Sequence, residues 1–319
     1  MQTSRKFWVG TLALAALWAL PAAAEAPKVD PLVPADAEMV VVLNVRQLFD
    51  APMVKKHGLK EMKEALQKND QVGKLLTAAG VDPFKDVASI TITGTPSPAN
   101  NKVLVVVRGN FDPDKIHKVA VDIAEKKPGE LKVSKEGARQ VYEMKAEGKP
   151  LFATFADKST LVASPSKEYA LETAKNAGKK AAKPGSDLAK AISKVSGNPA
   201  VWLAVVITDE MKTALAKTPQ AASIAPKLES VTGSVNLTDG LNASVLIHTT
   251  DPKAAAELRK QINQVKPLLA VIAQSNEEVG PLVTELLSGL KITADKGTVD
   301  ISLKVTEEAL EKATKKDSK

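Results

Sequence analysis

The groups in this chain best suited to proton transfer near neutral pH are its three histidines, His57, His117 and His248. They lie far apart, and none has a second His or Cys at the spacing that a metal site requires. The chain has no cysteine, which removes thiol nucleophiles, thiolate metal ligands and disulfides together. No Gly-x-Ser-x-Gly turn presents a serine nucleophile, and no glycine-rich loop precedes a helix in the manner of a phosphate cradle. Carboxylates do occur in pairs: Asp82 with Asp86, Asp112 with Asp114, Asp209 with Glu210, and Glu277 with Glu278. Each pair sits at or just before the start of a helical pattern. There the free N–H groups of the first turn favour negative charge, so capping accounts for them. The sequence therefore assigns no catalytic, cofactor-binding or metal-binding residue.

Apolar residues give one sharper expectation. The stretch 251–290 is rich in Ala and Leu and is interrupted by Pro267 and Pro281. Leu268, Leu269, Ile272, Leu282 and Leu286 exceed what one narrow helix stripe needs to cover a sheet. They read as two helices that cover a sheet or, alternatively, as a groove between them for an apolar ligand or a partner helix.

The elements that must position any site follow from periodicity. Met39–Val45 reads as a buried central strand, and the region Gly58–Gln67 as a helix with Leu59, Met62, Ala65 and Leu66 on one side. Val72, Leu75, Leu76 and Ala79 continue a helical stripe that Gly80 ends. Strands are expected at 88–92 and 103–107. Asp112-Pro113 then caps a helix carrying Ile116, Val119, Ala120 and Ile123. Strands at 131–135, 139–145, 151–156 and 160–163 and a helix from Lys167 complete the first half.

The second half repeats the order. A buried strand spans 200–207, and helical stretches follow at 210–217 and 224–229. Two alternating runs flank Asp239-Gly240, which predicts a hairpin with positive φ at both turn residues. Asp251-Pro252 caps a long helix, a helix near 277–287 follows, and a hairpin spans 291–305 with its turn at 295–297. The fold class is α+β: two similar units of antiparallel sheet covered by helices, at 29–178 and 186–316. The polar segment 179–185 links them.

Residues 1–24 form a separate segment. Arg5 and Lys6 precede an uncharged apolar run from Phe7 to Leu20, and Ala22–Ala24 supply small residues for cleavage. This is the layout of a secretory signal peptide, so the expected location is periplasmic or extracellular. The formal net charge is +7, of which Arg5 and Lys6 supply two. Acids and bases are otherwise interspersed, so no nucleic-acid footprint forms. The clusters Lys179, Lys180, Lys183 and Lys312, Lys315, Lys316, Lys319 read as a solvated linker and tail, capable of weak contact with an anionic envelope surface.

Several short motifs carry a resemblance. Val33-Pro34-Ala35-Asp36-Ala37 precedes the first strand, and Gly80-Val81-Asp82-Pro83 precedes Asp86-Val87. Gly109-Asn110-Phe111-Asp112 leads into a helix, Val141-Tyr142 lies on a later strand, and Asp157–Ser164 precedes another helix. This layout resembles uncharacterised secreted bacterial proteins built from duplicated α+β units. The resemblance implies a fold and no site residues. The expected function is an exported, non-catalytic binding or envelope-associated protein. A hydrolase with a site assembled from distant residues and an apolar-ligand or lipid-binding module using the 251–290 helices are the alternatives.

Overall fold

The run Met39–Leu43 forms β1, and alternation puts Val40 and Val42 on one face and Val41 on the other. Both faces are apolar, so the strand belongs inside a sheet. The computed structural model describes residues 25–59, 62–64, 77–95, 102–146, 148–179, 183–275 and 280–309. After β1 come the short helices α1 (Val45–Asp50), α2 (Pro52–His57) and α3 (Pro83–Asp86). Strands β2 (Val87–Gly94) and β3 (Val103–Gly109) lead to α4 (Pro113–Lys126). Strands β4 (Leu131–Glu136), β5 (Arg139–Ala146), β6 (Lys149–Asp157) and β7 (Thr160–Ser164) precede α5 (Lys167–Asn176).

The second half opens with α6 (Ser186–Ile192), β8 (Val201–Val206) and α7 (Asp209–Ala216). It continues with β9 (Leu228–Asn236), β10 (Leu241–Thr249), α8 (Pro252–Ser275) and α9 (Gly280–Gly289). Strands β11 (Leu290–Asp295) and β12 (Thr298–Val305) complete the sheet.

The twelve strands among the described residues form one antiparallel sheet in the order β11-β12-β10-β9-β8-β1-β2-β3-β7-β6-β5-β4. The two units expected from sequence share this sheet, because β1 pairs with β8 and sets Val41 opposite Leu203. Each of these strands carries apolar residues on both faces. Left as an edge, either would expose unpaired backbone beside a hydrophobic surface, and pairing removes both edges at once.

One row of side chains runs straight across the centre of the sheet: Trp202, Val42, Thr91, Val106, Val162 and Thr154, each opposite the next and all buried. The chain between Val29 and Ala37 lies over this face with α6, packing Val33 and Leu188 against Val40, Val42 and Trp202. Thr154 is satisfied within the sheet, donating its hydroxyl to the Gln140 carbonyl at 2.7 Å. The opposite face is covered at one end by α4 and at the other by α8 and α9, which pack on β11 and β12.

Both Asp-Pro caps form as expected. Asp112 Oδ1 accepts from the Lys115 N–H at 3.0 Å, and Asp251 Oδ1 accepts from the Ala254 N–H at 2.8 Å. Two local expectations are corrected. The stretch 224–229 is only a single 3-10 turn, Ala225–Lys227, because Leu228 already opens β9. The β9–β10 hairpin exists, but residues 237–240 connect it, and of Asp239 and Gly240 only Gly240 has positive φ, at +94°. A four-residue connection reverses the chain with one left-handed residue, so the two-residue turn is not needed there. The positive-φ pair occurs instead at Lys296 (44°) and Gly297 (83°), between β11 and β12. Among the described residues, no helix is long and apolar enough to cross a membrane. Residues 1–24, the helical stripe at 72–76, and Glu277 and Glu278 lie outside the described residues.

Candidate functional site

The helix α4 presents Ile116, Ala120 and Ile123 to the sheet, as its stripe predicts. Below it, alternation on β5 and β6 aims Tyr142, Ala153 and Phe155 at the helix. The two layers do not close completely. Between them lies a chamber of about 130 Å³, lined by Ile116 and Ala120 above and by Tyr142, Met144, Ala153 and Phe155 below. Val81 and Phe111 form part of its wall.

Two glycines shape this wall. Gly109 lets Phe111 fold back against the strand end, since a Cβ there would lie 2.6 Å from the Phe111 ring and 2.3 Å from the Asp86 carbonyl oxygen. Gly80 has φ +66°, and the Lys115 ammonium occupies the space where a side chain would begin. The Gly-Val-Asp-Pro and Gly-Asn-Phe-Asp turns therefore place Val81 and Phe111 in the wall.

The chamber surface is apolar throughout, and one of its lining residues, Tyr142, carries a hydroxyl outside that surface. The Tyr142 oxygen lies 3.5 Å from His117 Nδ1. Burial pushes the Tyr142 phenol above its ordinary pKa, and the nearby Asp114 carboxylate adds to this, so the hydroxyl stays protonated. Phe155 meets Tyr142 edge-on with ring centres 6.4 Å apart, and Phe111 lies 5.9 Å from Phe155. These aromatic contacts hold the floor in one arrangement. The arrangement can take up a small apolar group.

A larger cleft of about 720 Å³ lies between residues 31–36 and α5. Its walls mix charges: Asp36 pairs with Lys102 at 3.0 Å, and Glu168, Glu172 and Lys179 stand around Tyr169. Burial, followed by the charges of Asp36 and Glu172, pushes the Tyr169 phenol up to about 12.

The histidines stay apart. His117 is on α4 at the chamber, and His57 ends α2. His248 is buried on β10 between two hydroxyls, with Nδ1 3.1 Å from Thr298 Oγ1 and Nε2 3.4 Å from Thr232 Oγ1. Burial, reinforced by the charge of Lys194, lowers its pKa to about 4. Among the described residues, no group of three His, Asp or Glu side chains is placed to hold a metal ion. The three described carboxylate pairs are at helix starts: Asp82 accepts from the Phe84 N–H at 3.0 Å and Asp112 from the Lys115 N–H, while Thr208 caps the helix that Asp209 and Glu210 begin.

Of the candidate groove, Leu268, Leu269 and Ile272 fall on α8 and Leu282 on α9, but their side chains lie outside the described residues. Leu286 is half-buried on α9. The chamber under α4 is a site that the sequence did not single out. Its signal was present in the alternation of Tyr142 and Met144 against Ala153 and Phe155, but small residues facing a helix read equally well as tight packing.

No protein-family model matches the chain, and no curated protein matches it. Two solved structures do. Crystal form III of TP0453 superposes with a TM-score of 0.51 at 10% identity, covering 91% of this chain and 99% of that one. Crystal form I of TP0453 gives 0.47 at 10% identity, covering 91% and 98%. The likeness to form III is one of fold.

Proposed function

We propose that this chain is an exported, non-catalytic binding protein whose ligand carries a small apolar group. The chamber beneath α4 carries this reading: a space of about 130 Å³ with apolar walls, held open by aromatic contacts. Apolar cavities of about 150 Å³ stay dry and bind benzene-sized molecules, so a ring or a short hydrocarbon end matches this volume. Tyr142 and His117 offer a polar handle beside it.

Export rests on Arg5, Lys6, the apolar run that follows and Ala22–Ala24. Duplication of one ancestral unit is supported by strand order. Reading outward from the β1–β8 pair, β2 and β3 on one side answer β9 and β10 on the other. An Asp-Pro-capped helix follows each third strand, and the hairpins β6–β7 and β11–β12 then join the sheet beside β3 and β10.

Native mass spectrometry of protein purified from its own envelope fraction tests the reading. The expected spectrum shows a mass above the bare chain that is lost on denaturation and absent from the Ala153→Leu variant. A bare-chain mass, or an adduct retained equally by the variant, overturns it. N-terminal sequencing of the same sample tests removal of the segment 1–24.

A further inference from the structure

A third pocket, of about 220 Å³, opens on the other face of the sheet, between α6, α7 and the start of β9. Ser230 and Lys194 line it. Ser230 is 6% exposed, and its hydroxyl has no hydrogen-bond partner among the described residues. A buried hydroxyl without a partner is costly, and native proteins seldom keep one without cause. Lys194 is half-buried, and its ammonium makes no hydrogen bond or salt bridge among the described residues. Burial lowers its pKa, and repulsion from Lys190 adds to this, while the Glu229 carboxylate offsets part of it. Lys190 and Lys212 also line the pocket, and Lys212 reaches Asp209 at 3.0 Å. The opposing carboxylates, Asp187 and Glu229, are exposed, so water and salt screen them more than they screen Lys194.

We propose that this pocket binds a phosphate-type oxyanion, with the Ser230 hydroxyl donating a hydrogen bond and Lys190, Lys194 and Lys212 balancing the charge. The ligand supplies an acceptor for the buried Ser230 hydroxyl and an anion nearer to the half-buried Lys194 than the exposed Glu229 carboxylate. Charge-assisted hydrogen bonds of this kind are stronger than neutral ones. The volume admits one phosphate group with a short ester attachment. The pocket is separate from the chamber beneath α4, so either site can fail without the other.

Titration of the purified full chain with inorganic phosphate, followed by calorimetry, tests the site. Saturable binding is expected, weakened at least about tenfold in Lys194→Met and about threefold or more in Ser230→Ala. Lys132→Met, on the remote strand β4, leaves it unchanged. Phosphate also raises the His248 pKa, followed by NMR, because it neutralises the Lys194 charge that helps to depress it. Phosphatidylglycerol vesicles, with phosphatidylcholine vesicles as control, form a second arm. Competition between these vesicles and phosphate assigns a lipid headgroup, and phosphate binding without vesicle binding assigns a free or small-molecule phosphate. Absence of both kinds of binding overturns the proposal. So does equal weakening by Lys194→Met and Lys132→Met, which would reveal diffuse surface charge. If Lys194→Met does not fold, Ser230→Ala and Lys212→Met decide the matter, and unchanged affinity in both rejects the site.

Discussion

Arg108 grips Asp30 through two parallel hydrogen bonds, Nε to Oδ2 at 2.8 Å and Nη2 to Oδ1 at 3.0 Å. The third arm of the guanidinium donates to Thr160 Oγ1 at 2.6 Å. One side chain of β3 thus fastens both the neighbouring strand β7 and the chain that precedes β1. The Asp30 side chain is 7% exposed, so the pair is largely withdrawn from water. Asp30→Ala leaves the guanidinium with only the weaker influence of the Asp157 carboxylate, and Val29 and Val33, which pack on the central core, lose their anchor. The expected loss is about 2–4 kcal/mol of stability, measured by urea denaturation at neutral pH. A loss below about 0.5 kcal/mol would mean that the pair behaves like an exposed surface ion pair.

His248 makes stability depend on pH in a definite direction. Its folded pKa of about 4 lies below the ordinary value of 6.5, so the unfolded chain takes up the proton first as pH falls. The contribution is fully present above pH 6.5 and is lost progressively towards pH 4, at a total of up to about 3 kcal/mol. His248→Gln keeps a donor and an acceptor for Thr298 and Thr232 but cannot ionise. Its unfolding free energy is expected to vary less between pH 6.5 and 4 than that of the parent chain. Equal slopes in the two proteins would show that His248 does not titrate in this way.

The chamber predicts an uncoupling of binding from stability. Ala153→Leu adds three carbons where β6 faces α4, and Ala120→Leu adds them from the helix side. Either fills empty volume that other substitutions in a dense core would lack. Stability should change by about 1 kcal/mol or less, while uptake of an apolar fluorescent probe is lost. Severe destabilisation by both variants would show that the space closes in solution.

Local features of this fold were legible because each rests on a few adjacent residues. Asp112-Pro113 and Asp251-Pro252 specify helix starts through the geometry of one turn, and the alternation of β9 and β10 specifies a hairpin. The single sheet was not legible. Joining the halves depends on Val41 meeting Leu203, a pairing of strands far apart in sequence, and periodicity says only that each strand is buried. The chamber was hidden for a related reason, since a cavity is a failure of two layers to meet. The unpartnered Ser230 hydroxyl is likewise defined by what surrounds it.

The turn between β11 and β12 offers a test of backbone strain. Lys296 and Gly297 lie between the paired residues Asp295 and Thr298, and both have positive φ. Glycine adopts this conformation freely, but a lysine Cβ crowds the following carbonyl there. Asn tolerates the left-handed region better, and Asn-Gly is the preferred pair for a two-residue hairpin turn. The Lys296 side chain is exposed, so the exchange removes no core contact. Lys296→Asn is therefore expected to stabilise the protein by about 0.5 kcal/mol. The measurement is the urea midpoint at constant slope. A lower midpoint would mean that the lysine side chain contributes more to the hairpin than its backbone strain costs.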